Sequence, residues 1–243
     1  MASLDSLLIR NANAEKAVRR TTEGAGVVLR IKHVGTGTTQ TPTVVLSSTA
    51  SVLTLTDGAS AATVIDLSAA TTNSVGEVAD YINGLSSWKC KVMDALRSDL
   101  IDNLLTDGSV TSAVVNGETV FDCLQVIASA KLQVRVAYDE TVGALKPKGS
   151  HRVTLNGFST YSTCTGGAGT LAIYDCDTAG KTETQIWQGL GVNNTLLTYS
   201  PSSSSYPFSG ITAKEGHELV IVVSGTVTTA PTTNYLQAEF VRE

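Results

Sequence analysis

Any chemistry in this chain would fall to its three histidines, four cysteines and 22 carboxylates, and their spacing gathers none of them into a known catalytic or metal-binding motif. His33, His151 and His217 each stand alone beside or within an expected strand. A lone histidine there is more often exposed or hydrogen-bonded than a ligand. There is no H-E-x-x-H pair, nucleophile elbow, P-loop or nucleotide-binding glycine fingerprint. Asp175-Cys176-Asp177 with Gly180 faintly resembles a calcium loop, because hard cations take closely spaced oxygens. A third acidic position and a closing glutamate are missing, so a plain β-turn is expected. Gly166-Gly167-Ala168-Gly169 precedes no expected helix whose N-terminus would receive a phosphate, and reads as a hairpin loop. Carboxylates for glycoside cleavage can converge from distant positions, but nothing in the sequence marks a pair. The expectation is therefore no catalytic residue, no cofactor and no metal.

The cysteines Cys90, Cys123, Cys164 and Cys176 lack the short paired spacing of a zinc site. Three pairings are open on paper. Free, buried thiols are the favoured reading, since Cys behaves as a small hydrophobe. Cys164 and Cys176 flank one expected strand and are the pair to form if any does. The formal charge of −5 disfavours non-specific nucleic-acid binding. A local exception is the N-terminal stretch, where Arg10, Lys16, Arg19 and Arg20 outnumber Asp5 and Glu15. No apolar run approaches the ~20 residues that span a bilayer, and Leu7-Leu8-Ile9 stops at Arg10 without forming a signal peptide. A soluble protein made in the cytoplasm is expected, with neither nucleic acid nor membrane as partner.

The elements that would position these residues are mostly strands. With 42% hydrophobic residues the chain can bury a core, while 16% charged residues is well under the usual quarter. Ser, Thr and Gly fill the deficit and give a neutral surface suited to packing against copies or neighbours. Residues 1–23 read as an N-terminal arm, either helical or extended, that is frayed or docks on a neighbour through its arginines. From Gly26 the period is two: Val27, Leu29 and Ile31 alternate with Arg30 and Lys32. Thr43–Leu46, Val52–Leu55 and Thr63–Leu67 extend this into a meander, with Asp57-Gly58 as a turn. Ser74 and Glu77 form a capping box opening a helix whose buried face is Val75, Val78, Ala79 and Ile82, with Gly84 to close it.

Trp88, Cys90 and Val92 predict one more strand, and Ser98–Leu105 a second short helix. Asn116-Gly117 between two apolar runs is the strongest hairpin signal. Leu132-Val134-Val136 alternates with Gln133 and Arg135 as a strand of this same domain, residues 24–140. Residues 141–150 read as a linker. In 151–243, six short strands separated by Gly, Ser, Thr, Asn and Pro point to an antiparallel β-sandwich or jelly roll. Among them Leu219–Val223 shows no polar alternation, so both its faces should be covered, within one chain or by another. The fold class expected is mainly β: an N-terminal β-rich domain with one or two short helices, then the sandwich.

Aromatic residues concentrate in the C-terminal half. Tyr206-Pro207-Phe208, beside the serine run Ser202–Ser205, is the best candidate for an exposed contact loop, with Tyr206 and Phe208 as its rings. Two segments carry a resemblance: Thr43–Leu46 through Leu53–Gly58, Ile65–Leu67, Ser74–Ile82 and Trp88, then Gly169–Asp175, Ile186-Trp187, Gly210-Ile211, Leu219–Gly225 and Tyr235-Leu236. Together they resemble the Thr/Gly-rich β modules of virion structural proteins of tailed bacteriophages. The likeness is one of texture and turn placement over about two-thirds of the chain, and it carries over no functional residue. It implies a capsid decoration or cement protein, commonly a homotrimer, whose partners are its own copies, the major capsid protein or other virion proteins. The alternative it implies is a head or tail fibre or receptor-binding module, with a host surface glycan or receptor as partner. Either way the address is the virion.

Overall fold

The computed structural model describes residues 15–22, 26–35, 41–47, 49–57, 61–105, 110–115, 118–125, 131–137, 152–162, 170–177, 179–190, 195–199, 210–224 and 235–242. The chain is mainly β, with a single α-helix among these residues. The strands are β1 (Glu15–Thr22), β2 (Val27–His33), β3 (Thr43–Ser47), β4 (Val52–Thr56), β5 (Thr63–Asp66), β6 (Trp88–Val92), β7 (Val110–Val115) and β8 (Glu118–Leu124). They continue as β9 (Lys131–Val136), β10 (Val153–Ser162), β11 (Thr170–Asp177), β12 (Thr182–Leu190), β13 (Thr195–Tyr199), β14 (Ile211–Thr212), β15 (Glu218–Ser224) and β16 (Tyr235–Arg242). The helix α1 spans Val75–Gly84. The chain divides into two compact units, one of them formed mainly by Glu23–Ala130 and the other by sequence on both sides of it.

The unit built from both ends holds two antiparallel sheets, ordered β1-β16-β10-β13 and β12-β11-β15-β9, with β14 added to β10 beside β13. Numbering these eight long strands along the chain gives orders 1-8-3-6 and 5-4-7-2, which is the strand order of a jelly roll. Period-two side chains from both sheets meet in one core. Val134, Val136, Leu171, Ile173, Leu219, Ile221 and Val223 come from one sheet, and Val153, Leu155, Phe158, Leu236, Ala238 and Phe240 from the other. The unbroken run Leu219–Val223 is explained by its place: β15 lies between β11 and β9, and all five residues are buried within this one chain.

The other unit joins a sheet β6-β2-β8-β7 to a three-stranded meander β3-β4-β5. α1 begins as its sequence signals: Glu77 accepts from the Ser74 N–H at 3.1 Å while Ser74 Oγ accepts from the Glu77 N–H at 3.3 Å. Its next free amides are taken by a neighbouring segment, Val75 N–H donating to Asp99 O and Gly76 N–H to Arg97 O. A Cβ on Gly76 would stand 2.9 Å from the Arg97 Cβ, so glycine is what allows this approach. Near the helix C-terminus, the Asn83 carboxamide both donates to Cys90 O and accepts from Cys90 N–H, at 2.9 Å each. It therefore occupies the open edge of β6 as a neighbouring strand would. The second expected helix is only a 3-10 turn, Ile101–Asn103.

Three expectations change. Residues 1–23 are not merely an arm, because Glu15–Thr22 forms β1 and pairs with β16 along eight residues, from Glu15↔Arg242 to Thr22↔Tyr235. The strand Lys131–Val136 does not belong with the first β domain; β9 pairs with β15 of the jelly roll. β2 leaves the meander and pairs with β6 and β8 instead. In each case the partner lies far off in sequence, where local pattern carries no information. The expected linker, 141–150, lies outside the described residues.

Deleting residues 1–22 tests the role of β1. At a net ~0.5–1.5 kcal/mol per ladder hydrogen bond, the strand contributes several kcal/mol. The truncated chain should melt roughly 10 °C or more below the full chain, as read by circular dichroism. An unchanged melting temperature would show β1 to be dispensable.

Candidate functional site

Charged side chains that strands carry inward are the natural place to look for a site. β9 carries Arg135 and Gln133 on the face away from the jelly-roll core, and both are buried, at 2% and 0% exposure. Arg135 Nη1 donates to Glu218 Oε2 at 3.1 Å, while Nη2 lies 3.9 Å from Glu183 Oε1. The guanidinium thus ties β9 to β15 and β12, with Cys176 of β11 beside it. Burial alone would pull the Arg135 pKa down; the carboxylates outweigh it and hold the group above the usual arginine value. Cys176 is pushed up to about 12 by burial, against the opposing pull of Arg135.

At the rim of the same sheet, His217 Nδ1 lies 2.9 Å from Asp175 Oδ1, and Nε2 lies 4.0 Å from Asp177 Oδ2. Asp177 also accepts from the Ala179 N–H at 2.8 Å, which shapes the turn before β12. The Asp175-Cys176-Asp177 segment is therefore engaged by a histidine and a turn. Among the described residues no group of three or more His, Cys, Asp or Glu is placed to hold a metal ion.

In the other unit, Arg30 and Asp122 sit directly opposite on β2 and β8 and form a two-point pair at 2.7 and 2.9 Å. Lys32 pairs with Glu118 across the same strands. Asp94 and Asp99 are also buried, and their carboxylates accept from the Val27 and Leu96 backbone N–H groups at 3.4 and 3.0 Å. His33 packs edge-on against Trp88, with ring centroids 4.9 Å apart. Cys90 and Cys123 are buried free thiols. Burial raises both, Cys90 well above its ordinary value and Cys123 to about 12, with Asp122 adding to the latter.

The residues singled out from sequence do not form one site. Lys16, Arg19 and Arg20 lie within β1, in register with Val241, Ala238 and Gln237. Arg19 is half-buried and stands opposite a core alanine, so it does not belong to a free arm. Arg10, His151, Cys164, Tyr206, Phe208 and the glycine run 166–169 lie outside the described residues. The ion-paired residues Arg135, Glu183 and Glu218 were missed because alternation puts Arg135 on the polar side of its strand, and no sequence signal says that this side is covered. Trp187 is partly core: it meets Phe158 at 5.9 Å and Tyr199 at 5.5 Å, and its ring lies across Gly189.

Two measurements check this picture. Arg135→Ala strands two carboxylates and should cost about 3–5 kcal/mol in urea unfolding. Replacing Arg135, Glu183 and Glu218 together by apolar residues of similar size should recover most of that loss; equal losses would show that the ion pairs are not the cause. The thiols Cys90, Cys123 and Cys176 should resist Ellman's reagent at pH 8 until the chain unfolds. Their raised native values mean that between about pH 9 and 12 the unfolded chain gives up protons that the native state keeps. The thiol contribution to stability should therefore fall as pH rises through that window, and a flat profile would contradict it.

No family model matches the chain, and no curated protein matches it. Among solved structures, the stem and receptor binding domain of the spike protein P1 from bacteriophage PM2 aligns over 95% of this chain and 96% of that one. The identity is 12% and the TM-score 0.16, too low a likeness to bear on fold or function.

Proposed function

We propose that this chain is a non-enzymatic structural component of a phage virion. Specifically, it is a capsid decoration or cement protein that binds the major capsid protein and stabilises the shell through contacts among its own copies, as a homotrimer. The observation that carries the reading is how the protein uses its buried charge. Among the described residues the buried charged groups are Asp94, Asp99, Asp122, Arg135, Asp175 and Glu218, and each holds a backbone amide or a partner side chain on another strand or turn. Burial of this sort ties strands and turns to one another, a use of charge that suits a structural role. The low-charge surface and the sequence resemblance to tailed-phage virion modules support the same reading. Outward valines such as Val45 and Val64, 56% and 58% exposed, suit close packing on a neutral neighbour.

The test is made on purified particles of the phage that encodes the chain. Quantitative mass spectrometry should find on the order of hundreds of copies, as expected for one or more per shell subunit. Particles assembled without the protein should lose DNA at a lower temperature, and adding it back should restore them. A handful of copies at the tail or neck would instead support the fibre or receptor-binding module. Absence from particles would end the virion reading altogether.

A further inference from the structure

One irregularity of the jelly roll builds something that its core does not need. β12 is an edge strand paired to β11 alone. Its register shifts between Ile173↔Trp187 and Tyr174↔Gln185, which leaves Ile186 as the extra, bulged residue. In a regular strand, positions three apart lie on opposite faces. The bulge turns Gln185 and Gln188 onto the same face, away from the core, beside Tyr174 of β11. Bulges re-aim side chains in this way at sheet edges and next to functional sites.

The three side chains form a chain of hydrogen bonds: Tyr174 Oη donates to Gln185 Oε1 at 3.2 Å, and Gln185 Nε2 donates to Gln188 Oε1 at 3.0 Å. Both glutamines are exposed, Tyr174 is half-buried and Ile186 is 42% exposed. Ala172, Val220 and Val222 on the same face are buried, so the strip borders a covered region. The nearest acidic group on this face of β12, Glu183, stands beside Arg135. The strip therefore offers neutral amide and phenol groups, a partly open aromatic ring and an aliphatic side chain.

We propose that this bulged edge is a shallow binding site for a neutral saccharide. Sugar hydroxyls donate and accept at once, and carboxamides and a phenol do the same. The Tyr174 ring and Ile186 suit the apolar C–H face of a pyranose. The cation described on this face, Arg135, is buried and engaged by Glu218 and Glu183, so the strip itself presents neutral groups to a ligand. Binding to one sugar is weak, on the order of millimolar, and rises sharply when many copies meet a polymer. The proposal does not rest on the virion reading and survives its failure.

The test is a nuclear magnetic resonance titration of the full chain with neutral mono- and oligosaccharides, together with a glycan array. At least one neutral sugar should give saturable shifts confined to residues 172–174 and 184–189. Gln185→Ala and Gln188→Ala should each weaken binding tenfold or more. Both positions are exposed, so the melting temperature should not change. Tyr174→Phe should weaken binding less, because it keeps the ring and loses only the first hydrogen bond. The proposal is overturned if no neutral sugar binds, if binding survives both glutamine substitutions, or if the strip responds only to charged sugars in a salt-dependent way or to an extended peptide.

Discussion

The pairing of the first described strand with the last governs the rest of the architecture. β1 and β16 lie at opposite ends of the sequence, yet they run antiparallel over eight residues and put β1 at the edge of a jelly-roll sheet. That sheet is complete only when the whole chain is present. Contacts of such sequence separation must overcome loop-closure entropy before they return any stability. The unit made mainly of Glu23–Ala130 closes on nearer contacts, such as the β7–β8 hairpin and the β3-β4-β5 meander. It is expected to form first, while the jelly roll waits for its last strand.

β15 answers a second constraint. A strand buried on both faces must lie inside a sheet and satisfy any polar group beside it. β15 has neighbours on both sides, and its first residue, Glu218, is buried with Arg135. The guanidinium is fully desolvated, and only the flanking carboxylates make that tolerable. Such an arrangement fixes which strands are neighbours more than it adds to stability, since apolar side chains of the same volume would also fill the space. Fixing neighbours is valuable in a sheet built from strands whose apolar patterns are so alike.

Much of this was legible in the sequence, and what was not shares one physical cause. The capping box at Ser74, the helix face Val75–Ile82, the β7–β8 hairpin and the six short C-terminal strands all follow from residue patterns that span about ten positions, although the turn residues Asn116-Gly117 themselves lie outside the described residues. The partners of β1 and β9 do not. Glu15–Thr22 carries charge at half its positions, which by itself favours a solvated arm, and only the register with Tyr235–Arg242 makes it a strand. Gln133 and Arg135 read as solvent-facing because alternation tells one face from the other without saying what covers either. The bulge at Ile186 leaves no local mark at all, so nothing in Thr182–Leu190 announced that Gln185 and Gln188 share a face.

The insertion itself has a simple physical basis. β2 and β8, the strands nearest the ends of the inserted segment, pair antiparallel, and Gln125 N–H donates to Gly26 O at 2.7 Å. The segment's two ends therefore leave side by side, closed by their own backbone. On the jelly-roll side, the chain departs after Thr22 and returns at Lys131, between the first and second strands of the fold. An insertion whose ends are already joined asks of its host only what a loop would ask, and long loops cost little more than short ones. This is how the first connection of a jelly roll can carry about a hundred residues of separately cored structure without changing the order of its eight strands.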